Sequence, residues 1–101
     1  MLVAFSVAPL GAGESVTAAV ADAVRIVRES GLPNQTDAMF TTIEGEWDEV
    51  MAVITQCFEH LSKQSNRIAC TVKMDWRKGR SGGLEEKVRS VEEKVGRKLK
   101  T

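Results

Sequence analysis

The chain holds no tyrosine, a single histidine, two cysteines and two prolines, and each scarcity narrows what it can do. One imidazole, His60, leaves Ser/His/Asp and Cys/His hydrolase chemistry resting on one residue, and it lies beside Glu59 inside an amphipathic segment, a setting for a solvated side chain. Cys57 and Cys70 stand among apolar neighbours with neither a CxxC spacing nor a nearby histidine. Zinc asks for three or four converging ligands, so the expectation is two core thiols and no metal site. No apolar run approaches the roughly 20 residues of a membrane span. Leu2 to Ala8 is far shorter and lacks the basic flank and cleavage region of a signal peptide. The amino terminus therefore reads as part of the fold, and the protein as cytoplasmic, without a membrane partner.

What is present fits one small domain spanning residues 1–101, long enough for one core and small enough to gain from self-association. Formal charge is zero but unevenly spread: residues 1–76 carry ten acids against five bases, and residues 77–101 four acids against nine bases. A basic tail can mark a nucleic-acid binder. Here the bases alternate with Glu85, Glu86, Glu92 and Glu93, the pattern of a solvated helix that docks on an acidic neighbour in its own chain or the next subunit.

Leu2 to Ala8 alternates and is rich in β-formers until Pro9, Gly11 and Gly13 stop it. Ser15 is an N-cap candidate for a helix carrying Val16, Val20, Val24 and Val27, closed by Ser30-Gly31. Gln35 to Glu44 reads as one bulged strand or two short pieces. Trp47, Val50, Met51, Ile54, Cys57, Phe58 and Leu61 form the clearest helical stripe, with Glu46, Asp48 and Glu49 at the positive end of its dipole. Arg67 to Trp76 is a long strand. Lys78 to Gly83 reads as a flexible loop, and Leu84, Val88, Val91, Val95 and Leu99 mark a last helix that Gly96 weakens. The order predicts an α+β fold, a ferredoxin-like βαββαβ sandwich with an extra carboxyl-terminal helix. Two helices cover one side of such a sheet, so the other is solvated or buried by another subunit.

Strand parity separates the two faces. Val3, Phe5 and Val7 go with Ile68, Cys70, Val72, Met74 and Trp76 toward the helices, where Trp47 and Trp76 are expected to pack. Ser6, Thr42, Glu44, Thr71, Lys73 and Asp75 fall on the open face, with Leu2 and Phe40 its large apolar members. Such a face is either plain solvent surface or one side of a polar pocket. In a pocket, Glu44 can accept from an exocyclic amine or accompany a cationic ring, with Phe40 or Trp47 as a stacking surface.

Three segments in order, Met1 to Gly11, Thr41-Thr42-Ile43-Glu44-Gly45-Glu46-Trp47-Asp48-Glu49-Val50-Met51 and Val72-Lys73-Met74-Asp75-Trp76-Arg77-Lys78-Gly79, resemble the small thiamine-binding family, once catalogued as proteins of unknown function. The likeness runs from Met1 to about Gly96. It implies the ferredoxin-like fold, a homotetramer built from dimers, and thiamine or its aminopyrimidine portion as ligand. Thr41, Thr42 and Glu44 lie in the best-matched segment, and the resemblance puts ligand contact on them; Ser6, Phe40, Lys73 and Asp75 complete the candidate site. Asn34 to Phe40 departs from the family's pattern, with the bulky Phe40 where a glycine is usual before Thr-Thr.

The function expected is non-enzymatic binding of thiamine or a related pyrimidine by an oligomer acting as carrier, buffer or sensor, with no cofactor. No nucleophile and base stand at recognisable spacing. A structural assembly protein without a small ligand is the alternative. An RNA-binding sheet ranks below both, because such sheets stack bases on aromatics and this open face offers Phe40 alone. An acylphosphatase-like enzyme would want an arginine in the loop after the first strand, and Pro9 to Glu14 has none.

Overall fold

The structure, a computed structural model, describes residues 1–11, 16–79 and 82–101. Its elements run β1 (Leu2–Pro9), α1 (Val16–Glu29), β2 (Asn34–Thr36), β3 (Thr41–Glu44), α2 (Trp47–Ser62), β4 (Ile68–Asp75) and α3 (Gly83–Val95). The strands form one sheet in the order β2-β3-β1-β4, every neighbouring pair antiparallel. This is the ferredoxin-like arrangement with an added helix. The Gln35 to Glu44 stretch resolves into two short strands joined by a turn, in which the Asp37 carboxylate accepts from the N–H groups of Met39 (2.8 Å) and Phe40 (3.0 Å). Those two bonds hold the Asp37 carboxyl below its ordinary pKa. Ser15, Arg80 and Ser81 lie outside the described residues, and with them the expected cap of α1 and part of the expected loop.

Alternation along β1 buries Val3, Phe5, Val7 and Pro9 and leaves the intervening residues half-exposed. The buried set meets Ile43 on β3, Ala19, Ala23 and Val27 on α1, and Val50, Val53, Ile54, Cys57 and Leu61 on α2. Each large aliphatic side chain so buried contributes about 1.5–3 kcal/mol. Alanines at four-residue spacing let α1 approach α2 closely. Burial pushes the Cys57 thiol up to about 11, and Cys70 is half-buried with its thiol also raised by burial. His60 departs from the expected solvated role: it is half-buried, and its Nε2 lies 3.0 Å from Asp22 Oδ2 on α1.

Two features tie the strand ends. Met1 and Gly45 exchange backbone hydrogen bonds at 3.0 and 3.1 Å, extending the β1–β3 ladder by one pair. Gly45 is confined by packing: a Cβ there would sit 3.3 Å from Val50 Cγ2 and 3.4 Å from Leu32. At the other end buried Ser65 accepts from the Arg67 N–H (3.3 Å), and its hydroxyl lies 2.8 Å from the Arg67 carbonyl and 3.2 Å from that of Leu10.

The helices do not cover the whole of their side of the sheet. Ile68 and Cys70 pack against the core, whereas Val72 and Met74, on the same face of β4, are 40% and 41% exposed. The two tryptophans expected as packing residues are 53% (Trp47) and 66% (Trp76) exposed. Trp47 is the first residue of α2, and Trp76 follows the last ladder pair Leu2↔Asp75, so each stands past the rim of the core.

Candidate functional site

The open face is ordered by register. Leu2 of β1 lies between Glu44 of β3 and Asp75 of β4; two residues on, Ala4 lies between Thr42 and Lys73, and Ser6 is paired with Thr71. Parity thus put Ser6, Thr42, Glu44, Lys73 and Asp75 on one side of the sheet, as expected from sequence. What sequence reasoning left open is who covers them. The chain's own α3 folds back over the end of this face.

Two acids anchor that helix. The Glu44 carboxylate accepts hydrogen bonds from the backbone N–H groups of Gly82 and, at 3.3 Å, Leu84. These are amides of the first turn, which have no partner inside a helix and favour a negative charge beside them. One turn along, Lys87 forms an ion pair with Asp75. The Lys87 hydrogen bond, then its charge, holds the Asp75 carboxyl below the usual carboxylate range, with lesser help from Arg77 and Lys73. Gly96 closes α3 in the left-handed conformation (φ 82°), its N–H donating to the Glu92 carbonyl at 2.8 Å.

Between the sheet and α3 lies a cleft of about 430 Å³. Leu2, Glu44 and Asp75 line its sheet side, and Glu86, Lys87 and Val91 its helix side. Its volume falls within the roughly 300–1,000 Å³ of small-molecule pockets, and its make-up is apolar surface with converging charged groups of both signs, Arg77 and Lys87 beside Glu44, Asp75 and Glu86. The helix-side residues were missed as site residues by the sequence reading, although the basic excess of the carboxyl-terminal quarter signalled a helix docked on acids.

The remaining expected residues lie elsewhere. Phe40, Thr41 and Ser6 border a smaller cleft of about 140 Å³ between α1 and the β2–β3 turn, shared with Val20, Val24 and Met39. Thr41 is buried, and its Oγ1 lies 3.0 Å from that of Thr36. Thr42 is half-exposed, and Lys73 is exposed in mid-face. The structure therefore gathers Glu44 and Asp75 and does not bring Phe40 or Thr41 to them.

The fold is thus a ferredoxin-like sheet whose open face is partly roofed by its own last helix over a cleft lined by charges of both signs. Residues 3–92 match the family model described as thiamine-binding protein, and the chain belongs to that family. It is 53% identical over 93 residues to the UPF0045 protein of Mycobacterium bovis, covering 91% of each chain, and to the same extent to that of Mycobacterium tuberculosis. Among solved structures, a Methanocaldococcus jannaschii protein superposes with a TM-score of 0.81 at 28% identity, over 91% of this chain and 95% of that one. A Thermotoga maritima protein provisionally assigned to thiamine biosynthesis or salvage gives 0.79 at 22% identity, over 89% and 96%, a likeness of fold. Among the described residues no helix is long and apolar enough to cross a membrane.

Proposed function

We propose that this protein binds thiamine or a related aminopyrimidine without turning it over, as a carrier, buffer or sensor, in the cleft between the open face and α3. The observation that carries the reading is the convergence of Glu44 and Asp75 on either side of Leu2, under α3. A thiamine-like ligand offers an exocyclic amine for a carboxylate to accept from, a positively charged ring for the acids to accompany, and an apolar body for Leu2 and Val91. The family's description as thiamine-binding supports the choice of ligand.

The same reading has the protein work in the cytoplasm as a homotetramer built from dimers. Val91 and Val95, 49% and 55% exposed on α3, are apolar surface that assembly would cover. Thr42 and Ser6 lie further along the face as secondary contacts, and Lys73 stands where an anionic substituent would reach it.

Calorimetric titration with thiamine tests this, on the native chain and on Glu44→Gln. The amide keeps one of the two oxygens that accept from α3 while removing the charge, so lost affinity with helix content shown intact is attributable to the ligand. Saturable binding to the native chain that weakens tenfold or more in Glu44→Gln is the expected result. No heat at millimolar thiamine would overturn the proposal and favour the structural alternative.

A further inference from the structure

Charges of both signs line the cleft under α3, and they are not equally occupied. Glu44 accepts from the Gly82 and Leu84 N–H groups, and Asp75 is paired with Lys87. Arg77 lines the same space and, among the described residues, forms no hydrogen bond or ion pair. It comes two residues after the last ladder pair, Leu2↔Asp75, near enough to Asp75 for its charge to help hold that carboxyl low. Ser90 follows Lys87 by three residues and so shares its face of α3. It also lines the cleft, and among the described residues its hydroxyl has no partner.

A cation alone fits this set poorly. Once its positive ring took Asp75, Lys87 would lose its partner, and Lys87 and Arg77 would both face a ligand of their own sign, which repels them. A ligand with an amine or cationic part at one end and an anion at the other exchanges the one ion pair for two. Asp75 then meets the positive end, while Lys87 turns to the negative end beside Arg77. The Asp75 and Lys87 side chains are 43% and 55% exposed, so giving up their mutual contact costs little.

We infer that the anionic end is a phosphate monoester held by Arg77, Lys87 and Ser90, so that this cleft prefers the phosphorylated form of its ligand to the free alcohol. The inference rests on the cleft reading proposed above and names the ligand class more closely. Near pH 7 a phosphate monoester carries about −1.5 to −2 charge, which matches two cations where a carboxylate would match one. The planar guanidinium offers parallel N–H donors to two phosphate oxygens, and the ammonium and the hydroxyl serve the remainder. Lys73 is the competing cation of the open face, but it stands in mid-face opposite Ala4 and does not line the cleft.

Calorimetric titration of thiamine and of thiamine monophosphate tests this on the native chain, Arg77→Gln, Arg77→Lys and Lys73→Gln. The monophosphate is expected to bind the native chain at least tenfold more tightly, and the preference to narrow as salt rises from about 0.1 to 1 M and the Debye length falls from about 10 to 3 Å. Arg77 lies past the end of β4 and is exposed, so its replacement leaves the fold intact. Arg77→Gln is expected to remove most of the preference without weakening thiamine itself, Arg77→Lys to restore part of it, and Lys73→Gln to leave it unchanged. Inorganic phosphate is expected to displace the monophosphate only at concentrations at least a hundredfold above those of the ester, because it lacks the amine end. Equal affinity for the two ligands, a preference that survives Arg77→Gln or vanishes in Lys73→Gln, or displacement by inorganic phosphate as ready as by the ester overturns the inference; the cleft reading then still stands or falls on Glu44→Gln. A preference lost in Arg77→Gln while Glu44→Gln is neutral keeps the phosphate site and counts against Glu44 as the partner of the positive end. Binding of neither ligand overturns both.

Discussion

Glu44 caps the amino terminus of α3 through the N–H of Leu84 at 3.3 Å, joining a strand end to a helix 40 positions further along the chain. The carboxylate proposed above to meet the ligand is thus also the group that holds the roof of the cleft. A ligand bound as proposed would compete with the helix for this one carboxylate, which would couple occupancy of the cleft to the seating of α3.

Replacing Glu44 by alanine removes a side-chain cap, a change that costs about 0.5–2 kcal/mol in helices generally. The loss falls on α3, which buries no residue fully and depends on such anchors. Hydrogen exchange at Leu84 and the amides that follow is expected to quicken about tenfold in Glu44→Ala, with α1 and α2 unaffected. Equal acceleration throughout the chain would mean that the cap serves global stability instead.

The Asp75–Lys87 pair gives the seating of α3 a pH dependence whose sign is fixed. Asp75 has its carboxyl pKa lowered by Lys87, so its contribution is fully present above the ordinary aspartate value, about 3.9, and is lost as pH falls through the lower value it has in the folded chain. Asp22, lowered first by His60 and then by Arg25, adds a loss of the same sign between α1 and α2. Stability is expected to be flat from pH 7 to about 5 as far as these acids are concerned and to fall below about 4. Asp75→Asn should flatten part of that acid limb, as denaturant titrations at several pH values would register.

How much of this was readable from sequence depends on the range of the interaction. The faces of β1 and β4 followed from alternation alone, because the side-chain period of a strand is local and no bulge interrupts residues 68–75. The stripe on α2 was legible for the same reason. Trp47 and Trp76 were misread as packing residues because periodicity says which side a residue faces and not whether anything lies above it. The split of the candidate residues between two clefts was not legible either: Phe40 shares Glu44's parity, yet it sits in the turn before β3, where parity ceases to apply. Glu44 was singled out for its charge, but its partners Gly82 and Leu84 belong to a contact that no local pattern encodes.

Core and site should separate cleanly in mutational tests. Ile43 is completely buried between β1 and the helices, and truncating such a residue to alanine costs about 2–5 kcal/mol. Ile43→Ala is expected to lower the melting temperature strongly while leaving thiamine affinity per folded molecule unchanged. Because Ile43 and Glu44 are adjacent but face opposite sides of β3, the comparison measures the two faces independently.

Substitution at Phe40 tests which of the two clefts would hold the ligand proposed above. It borders the smaller one, between α1 and the β2–β3 turn, and takes no part in the cleft of Glu44 and Asp75. At about 140 Å³ that smaller space is below the roughly 300 Å³ at which ligand pockets begin, and removing a half-buried aromatic ring would enlarge it. If thiamine occupies the cleft under α3, Phe40→Ala should alter affinity by less than about threefold, under 1 kcal/mol, while Glu44→Gln weakens it tenfold or more. The reverse pattern, tighter binding on removal of the ring with Glu44→Gln neutral, would move the ligand to the α1 side of the sheet. The same two titrations therefore separate a ligand held by charge under α3 from one held by shape against α1.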